Sequence, residues 1–151
     1  MKMILISLLA LASFSAPEEH DVAMAVFRLS VDDAGLSLQI NFDREDYCKT
    51  SDLSLEAVNR VQLQTYLEQT TNWVINGKKQ ALIVEEVTAE REHFKATCRF
   101  PRVEGAVQQL LLQNEFMLGV DQQSNVIMLD LNGASRGFRM HQGRREIKVD
   151  Y

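Results

Sequence analysis

The sequence predicts a mainly β protein, specifically an immunoglobulin-like antiparallel β-sandwich with one helix inserted between the second and third strands. From Val22 onward, apolar and polar residues mostly alternate, which is the pattern of strands with one buried face. Short strands of this kind recur between turn residues, and they do not alternate with helices as βαβ units do. This spacing favours two packed sheets over a doubly wound fold.

The clearest strand pair stands at the start of the domain. Phe27, Leu29 and Val31 alternate with polar residues, a turn follows at Asp32–Gly35, and residues 36–42 alternate in the same way. This pattern predicts an antiparallel hairpin whose apolar faces meet in the core.

The segment after this hairpin differs in character. Residues 43–50 break the alternation and indicate a polar loop. A helix is predicted from Ser54 to about Thr70, with Asp52 or Ser54 as its N-cap, because short polar side chains at that position accept from the first free backbone N–H groups.

Strands resume at Trp73–Ile75. Asn76-Gly77 is the strongest hairpin signal in the chain, because both residues tolerate positive φ, and the partner strand is predicted from about Lys79 to Thr88. A second such turn, Asn132-Gly133, joins two later strands. The remaining strands are predicted over residues 93–100, 107–112, 126–131, 136–141 and 147–151.

The N-terminus has the three parts of a secretory signal. Lys2 supplies the positive charge, an uncharged apolar run extends from Ile4 to Ala12, and small residues lead to Ala16. The run is shorter than the roughly 20 residues that a membrane-spanning helix needs. We therefore expect a signal peptide at residues 1–16, one domain over residues 17–151 without a membrane span, and a periplasmic or secreted location.

Charge narrows the range of partners. The formal net charge is −5, and an acidic domain without a basic patch argues against nucleic acid. The one basic cluster is interleaved with Glu146 and Asp150, which indicates a solvated strand face. Its members are Arg136, Arg139, Arg144, Arg145 and Lys148.

The two cysteines, Cys48 and Cys98, permit a disulfide in an oxidising compartment. In the chain-entropy model, closing a loop of about 50 residues would stabilise the fold by roughly 4 kcal/mol. The alternative is two buried thiols. The alternating strand around Cys98 suits either state.

Sequence signals of catalysis are absent. The chain has no phosphate loop, no glycine-rich dinucleotide turn, no Cys-x-x-Cys and no Gly-x-Ser-x-Gly. Ser135 has no obvious base beside it, and His93 alternates outward on its strand. We therefore expect a protein that is not an enzyme and needs no cofactor; a hydrolase would require a pocket that gathers a histidine and carboxylates.

Three residues are weak candidates for metal binding. Asp43 and Asp46 lie in an acidic cluster, and clustered carboxylates suit a hard cation such as calcium. His20 would stand third from a free amine if the mature chain began after Pro17, and it could then chelate copper or nickel. Metal binding or metal delivery is thus an alternative function.

The interaction candidates are Trp73 and, in the polar loop from Asp121 to Asn125, the residues Asp121, Gln122 and Asn125. An aromatic side chain and a polar loop between strands are both features of partner surfaces. The alternative interpretation is that Trp73 belongs to the core and the loop is only a turn.

Three stretches carry a family resemblance: His20–Phe27, Leu38–Asp46, and Asn114–Val126, the last followed by the Asn132-Gly133 hairpin and a final strand. On these stretches the chain resembles a family of small exported proteins, common in Bacteroidota, that is catalogued only as a domain of unknown function. It also looks distantly like the extracytoplasmic N-terminal region of some metal-uptake accessory membrane proteins. The resemblance implies a fold and an extracytoplasmic location rather than a reaction.

The leading functional expectation is a non-enzymatic exported envelope protein that binds an envelope partner or a small ligand through an edge strand or a loop. It follows from an export signal joined to a complete strand pattern without a catalytic set. Metal binding is the first alternative and hydrolysis is the second.

Overall fold

The computed structural model describes residues 23–52 and 58–151. The expected signal peptide, His20 and the expected helix start at Ser54 lie outside these ranges. The strands are β1 (Met24–Asp32), β2 (Gly35–Asp43), β3 (Thr71–Ile75), β4 (Lys78–Gln80), β5 (Ile83–Glu90), β6 (His93–Arg99), β7 (Gln109–Asn114), β8 (Ser124–Leu131), β9 (Ala134–Met140) and β10 (Glu146–Asp150), and the helices are α1 (Arg44–Ser51) and α2 (Arg60–Thr70).

These strands form two sheets around one core. The six-stranded sheet has the order β5-β6-β2-β1-β8-β9, and the four-stranded sheet has the order β10-β7-β3-β4. Apolar side chains from both sheets belong to one buried cluster. The mainly β, two-sheet prediction is therefore confirmed.

One strand pair departs from the expected antiparallel arrangement. β1 and β8 run parallel, in register from Met24↔Ser124 to Ser30↔Asp130. Parallel neighbours need a long connection between them, and most of the chain lies between these two strands. This parallel pair makes the β1–β2 hairpin and the β8–β9 hairpin neighbours in the six-stranded sheet.

The predicted hairpins form. β1 pairs with β2 from Val26↔Asn41 to Asp32↔Gly35, β3 pairs with β4, and β8 pairs with β9. At both Asn-Gly turns, Asn76 and Asn132 take φ values of 51° and 53°. That left-handed conformation is tolerated well by asparagine, which explains why this dipeptide was informative.

The expectation of a single helix is wrong, because two described helices lie between β2 and β3. Residues 44–51, expected as a loop, form α1. Asp43 caps this helix by accepting a hydrogen bond from the Asp46 backbone N–H at 2.8 Å. Asp52, expected as an N-cap, instead ends α1 with φ 55° and donates its backbone N–H to the Cys48 carbonyl.

Asn59 caps the described start of α2. Its side chain accepts from the Gln62 backbone N–H, and the Gln62 side chain accepts from the Asn59 N–H, both at 3.1 Å. This reciprocal capping box satisfies two donors that the helix itself cannot. No described helix is long and apolar enough to cross a membrane.

The strand expected from Lys79 to Thr88 is in fact two strands in different sheets. β4 belongs to the four-stranded sheet and β5 to the six-stranded sheet, and buried Leu82 lies between them. Gln64 of α2 holds this crossing, because its amide donates to the Leu82 carbonyl and accepts from the Val84 N–H, both at 2.7 Å.

An aromatic cluster fills one end of the sandwich. Phe116 lies at its centre, with ring centroids between 5.2 and 6.1 Å from those of Phe27, Phe42, Tyr47 and Tyr66. The Tyr66 hydroxyl also accepts a hydrogen bond from the Met117 backbone N–H at 3.1 Å. Tyr47 of α1 and Tyr66 of α2 therefore hold in place the loop between β7 and β8, which contains Phe116 and Met117.

Candidate binding site

An open cleft of about 570 Å³ lies where β8 begins and β9 ends. We call it the β8–β9 cleft. One wall is the loop before β8, and the other is the end of β9 with the turn that follows it. The lining residues are Val120, Asp121, Gln122, Gln123, Ser124, Arg139, His141 and Gln142.

The first wall is built from short backbone turns. The Val120 N–H donates to the Met117 carbonyl at 3.0 Å, and the Gln123 N–H donates to the Val120 carbonyl at 3.2 Å. The Ser124 N–H donates to the Ala23 carbonyl at 3.0 Å, which joins the loop to the residue before β1.

The second wall is a tight turn from the six-stranded sheet to the four-stranded sheet. His141 and Arg144 exchange backbone hydrogen bonds of 3.1 and 2.8 Å. The Gln142 side chain crosses to the first wall and donates to the Leu118 carbonyl at 2.7 Å. This bond fixes the separation of the two walls.

A buried polar network supports the cleft from below. Asn125 is fully buried, and its amide donates to the Asn114 side chain at 3.1 Å and to the Phe116 carbonyl at 2.9 Å. Asn125 also accepts from the Gln123 amide at 3.2 Å. Because buried amides are costly to leave without partners, these bonds fix the loop conformation.

Two buried polar atoms of lining residues lack a hydrogen-bond partner. Gln123 and Ser124 are only 4% and 2% exposed, yet Gln123 Oε1 and Ser124 Oγ make no hydrogen bond. Buried polar atoms are nearly always satisfied in native proteins.

His141 lines the cleft. The Gly143 backbone N–H donates to His141 Nδ1 at 3.1 Å, so a neutral ring carries its proton on Nε2. A metal-bound histidine usually has the opposite arrangement, with its second nitrogen donating to a protein acceptor. The geometry favours a ligand that accepts a hydrogen bond.

Arg139 adds a positive charge to the same cleft. It lies opposite Val126, on the face of the sheet that alternates with buried Ile127. Its side chain is exposed, and it takes part in none of the ion pairs recorded within the described ranges. A guanidinium group matches a carboxylate with two parallel hydrogen bonds.

The structure separates the four interaction candidates into two groups. Asp121 and Gln122 are exposed and line the cleft. Trp73 is only 2% exposed, packs edge-on against Phe100 at 5.2 Å and donates from Nε1 to Thr71 Oγ1 at 3.2 Å. Burial of Trp73 and Asn125 favours the alternative interpretation, in which they belong to the core and to a turn.

The acidic candidates have a structural role. Asp43 is the α1 N-cap, and Asp46 lies in the first turn of that helix. Partial burial and then the nearby Asp43 carboxylate raise the pKa of Asp46. Across residues 23–52 and 58–151, no group of three or more His, Cys, Asp or Glu side chains is arranged to hold a metal ion.

The cysteines are two separate buried thiols rather than a disulfide. Cys48 lies in α1, which follows Asp43, and Asp43 pairs with His93 at the start of β6. Cys98 lies five residues further along β6, opposite Leu38. Burial raises the pKa of Cys98 to about 12 and also raises the pKa of Cys48.

The cleft contains a serine, a histidine and an aspartate, but they are not connected as a hydrolase requires. Ser124 Oγ makes no hydrogen bond, so it does not donate to His141. His141 Nδ1 accepts from Gly143 and is therefore not donating to Asp121. A nucleophilic serine needs both connections.

The sequence pattern did not mark four of the lining residues as site residues: Arg139, His141, Gln123 and Ser124. A signal for Arg139 and His141 was present, because residues 134–145 contain four arginines and no acidic residue. For Gln123 and Ser124 no sequence signal distinguishes a buried polar side chain from an exposed one.

No protein-family model matches the chain, and no curated protein is significantly similar to it. The family resemblance given above therefore stays a prediction.

Proposed function

We propose that the protein is an exported, non-enzymatic binding domain of the cell envelope that holds a carboxylate group of its ligand in the β8–β9 cleft. The observation that carries this proposal is that Arg139 and His141 line the same cleft, and that His141 Nδ1 already accepts from the Gly143 N–H. Export rests on the signal-like residues 1–16.

The chemistry of the cleft suits a carboxylate. Arg139 supplies a bidentate cationic donor, and His141 Nε2 supplies a second donor. A net hydrogen bond to a charged group contributes about 1.5–3 kcal/mol. The exposed Asp121 carboxylate is an acceptor for N–H groups elsewhere on the same ligand.

The site is preorganised, which favours binding because little ordering is left to occur. Gln142 holds the two walls together, and Asn125 holds the first wall to the core. The immunoglobulin-like character of the sandwich and the Bacteroidota family belong to the same proposal, supported by the two packed sheets and by the quoted sequence stretches.

The test is an amide NMR titration with glutarate, a small dicarboxylate, and with putrescine, a diamine of similar length, at constant ionic strength. We expect saturable glutarate shifts confined to residues 120–125 and 139–143, with no such shifts from putrescine. Arg139→Gln should remove them, whereas Arg60→Gln, at the exposed start of α2, should not. Shifts scattered over the surface, or unchanged in Arg139→Gln, would contradict the proposal.

A further inference from the structure

We infer that the ligand is an extended acidic polypeptide segment that pairs as an added strand with the outer edge of β9. This inference rests on the proposed carboxylate-binding cleft and names its partner. β9 ends at Met140, so Arg139 and His141 lie at the point where the strand enters the cleft.

Of the four edge strands within residues 23–52 and 58–151, three are short or obstructed. β4 has only three residues. β5 is interrupted by a register shift between Val84 and Glu86, and Gln64 occupies backbone groups on both sides of its start. At β10, the Arg136 side chain bonds the Asp150 carbonyl at 3.1 Å. Bulges, short length and covering groups are the features that protect sheet edges from further pairing.

β9 is the exception among the edges. It pairs with β8 without interruption from Asn125↔Met140 to Leu131↔Ala134. In the part of the chain that the structure describes, no strand pairs with its other side. It contains no proline, and its backbone groups on that side can therefore continue the ladder, as in recognition by strand addition.

The charge around this edge selects an acidic partner. Residues 134–145 carry four arginines and no acidic residue, in a chain of net charge −5. Two of the four have contacts within the chain: Arg136 stacks on Tyr151 at 4.8 Å, and Arg145 pairs with Glu115 at 2.7 Å. Arg139 and Arg144 take part in no recorded ion pair among the described residues.

The same charge argues against a second copy pairing through β9. Arg136 lies opposite buried Leu129 and Arg139 lies on the other face of β9, so two antiparallel β9 strands would place arginines of both copies on each face without an opposite charge on β9. Like charges across paired strands are destabilising. A separate acidic segment removes this repulsion.

The side chains of β9 define the pattern such a segment would carry. Arg139 faces away from the core, and half-buried Phe138 lies on the opposite face, across from Ile127. Successive residues of the added strand would therefore meet Arg139 and Phe138 in turn. Alternating acidic and apolar residues satisfy both positions.

The test uses three labelled five-residue peptides with the purified protein: Glu-Val-Glu-Val-Glu, Lys-Val-Lys-Val-Lys, and Glu-Val-Glu-Val-Glu with every peptide nitrogen methylated. The last keeps the charge and the side chains but has no N–H in its peptide bonds. Fluorescence anisotropy gives affinity, and hydrogen exchange reports protection of β9 amides. We expect binding of the first peptide with slowed exchange in β9, no binding of the second, and at least about tenfold weaker binding of the third, since each lost hydrogen bond costs about 1 kcal/mol.

The outcomes separate the two proposals. Equal binding of the unmethylated and the N-methylated acidic peptides, with shifts confined to the β8–β9 cleft, would overturn strand addition and leave carboxylate binding intact. Failure of both acidic peptides in a protein that still binds glutarate would overturn the acidic-segment partner alone. Protection of β9 that rises with protein concentration in the absence of peptide would show a second copy on this edge and would overturn the inference.

Discussion

Asn125 donates from Nδ2 to Oδ1 of Asn114 at 3.1 Å, which ties the start of β8 to the end of β7 beneath the β8–β9 cleft. The same Asn114 oxygen accepts from the Phe116 backbone N–H at 2.9 Å. Two side-chain amides thus define both the loop after β7 and the loop before β8. The shape of the cleft is therefore set by buried polar groups in the core rather than by its exposed lining.

Replacing Asn125 by alanine should destabilise the fold strongly. The change leaves the Phe116 carbonyl without its side-chain donor and removes the acceptor of the Gln123 amide. We expect a loss of about 2–4 kcal/mol in the free energy of unfolding, measured by urea denaturation. Exposed Asp121→Asn, as a control, should change it by less than about 0.5 kcal/mol. Equal effects of the two substitutions would show that the network contributes little.

Both thiols should be unreactive in the native protein. The pKa of Cys98 is raised to about 12 by burial, so almost no thiolate is present at pH 8, and thiolate is the reactive form. Mass spectrometry after iodoacetamide treatment should show no adduct on the native protein and two adducts on the unfolded, unreduced protein. A mass lower by two hydrogen atoms, with no adduct after unfolding, would show a Cys48–Cys98 disulfide instead.

Stability should depend on the ionisation of Asp46. Burial first, and then the Asp43 carboxylate, raise its pKa above 3.8 in the folded state. The folded protein therefore holds this proton more tightly than the unfolded chain, and stability falls as pH rises from 3.8 through the folded pKa. Asp46→Asn removes that cost, because the amide cannot ionise.

The measurement is urea denaturation of wild type and Asp46→Asn between pH 3 and pH 7. We expect the variant to be more stable at pH 7 and the difference to shrink toward zero at the acid end. An advantage that is the same at every pH would show that its cause is packing rather than ionisation.

Asn76 should stabilise the fold through two separable effects. Its Oδ1 accepts from the Gln108 and Gln109 N–H groups at 2.8 and 3.1 Å, and its Nδ2 donates to the Ala106 carbonyl at 3.0 Å. Asn76→Gly retains the left-handed backbone but loses these bonds, at a cost of about 1–2 kcal/mol. Asn76→Ala should cost about 1 kcal/mol more, because it also strains the positive φ. Identical midpoints in urea would contradict the backbone contribution.

Asp121 should weaken carboxylate binding, because it brings a negative charge to the same cleft as Arg139. We expect Asp121→Asn to lower the dissociation constant for glutarate by about twofold to fivefold, the range of an exposed charge pair. Calorimetric titration at low and at high salt measures this. A weaker affinity in the variant would contradict repulsion between Asp121 and the bound carboxylate.

The strands were predictable because period-two alternation follows directly from one buried face, as in Phe27, Leu29 and the residues opposite them in β2. The α1 helix was not, since only Tyr47 and Cys48 are buried in it and its other residues are polar. The change of sheet at Leu82 was also hidden, because alternation continues when a strand passes from one sheet to another. The sequence pattern therefore shows burial well and strand partners poorly.

The binding site was predictable in part. The hairpin of β8 and β9 was expected, and its open end necessarily brings Asp121 and Gln122 close to the end of β9. Arg139 was instead interpreted as part of a solvated strand face. The Asn125 side chain points toward Asn114 and the core because of the register of its strand, β8. A one-residue change of register would turn it outward.

Binding of a carboxylate by Arg139 is tested most directly by the dissociation constant of glutarate for Arg139→Gln relative to Arg60→Gln. Loss of a bidentate, charge-assisted contact should raise the constant by about tenfold or more in Arg139→Gln, and Arg60→Gln should match wild type. Arg139→Lys should fall between the two, because lysine keeps the charge but not the planar fork. Equal dissociation constants for Arg139→Gln and Arg60→Gln would contradict carboxylate binding in the β8–β9 cleft.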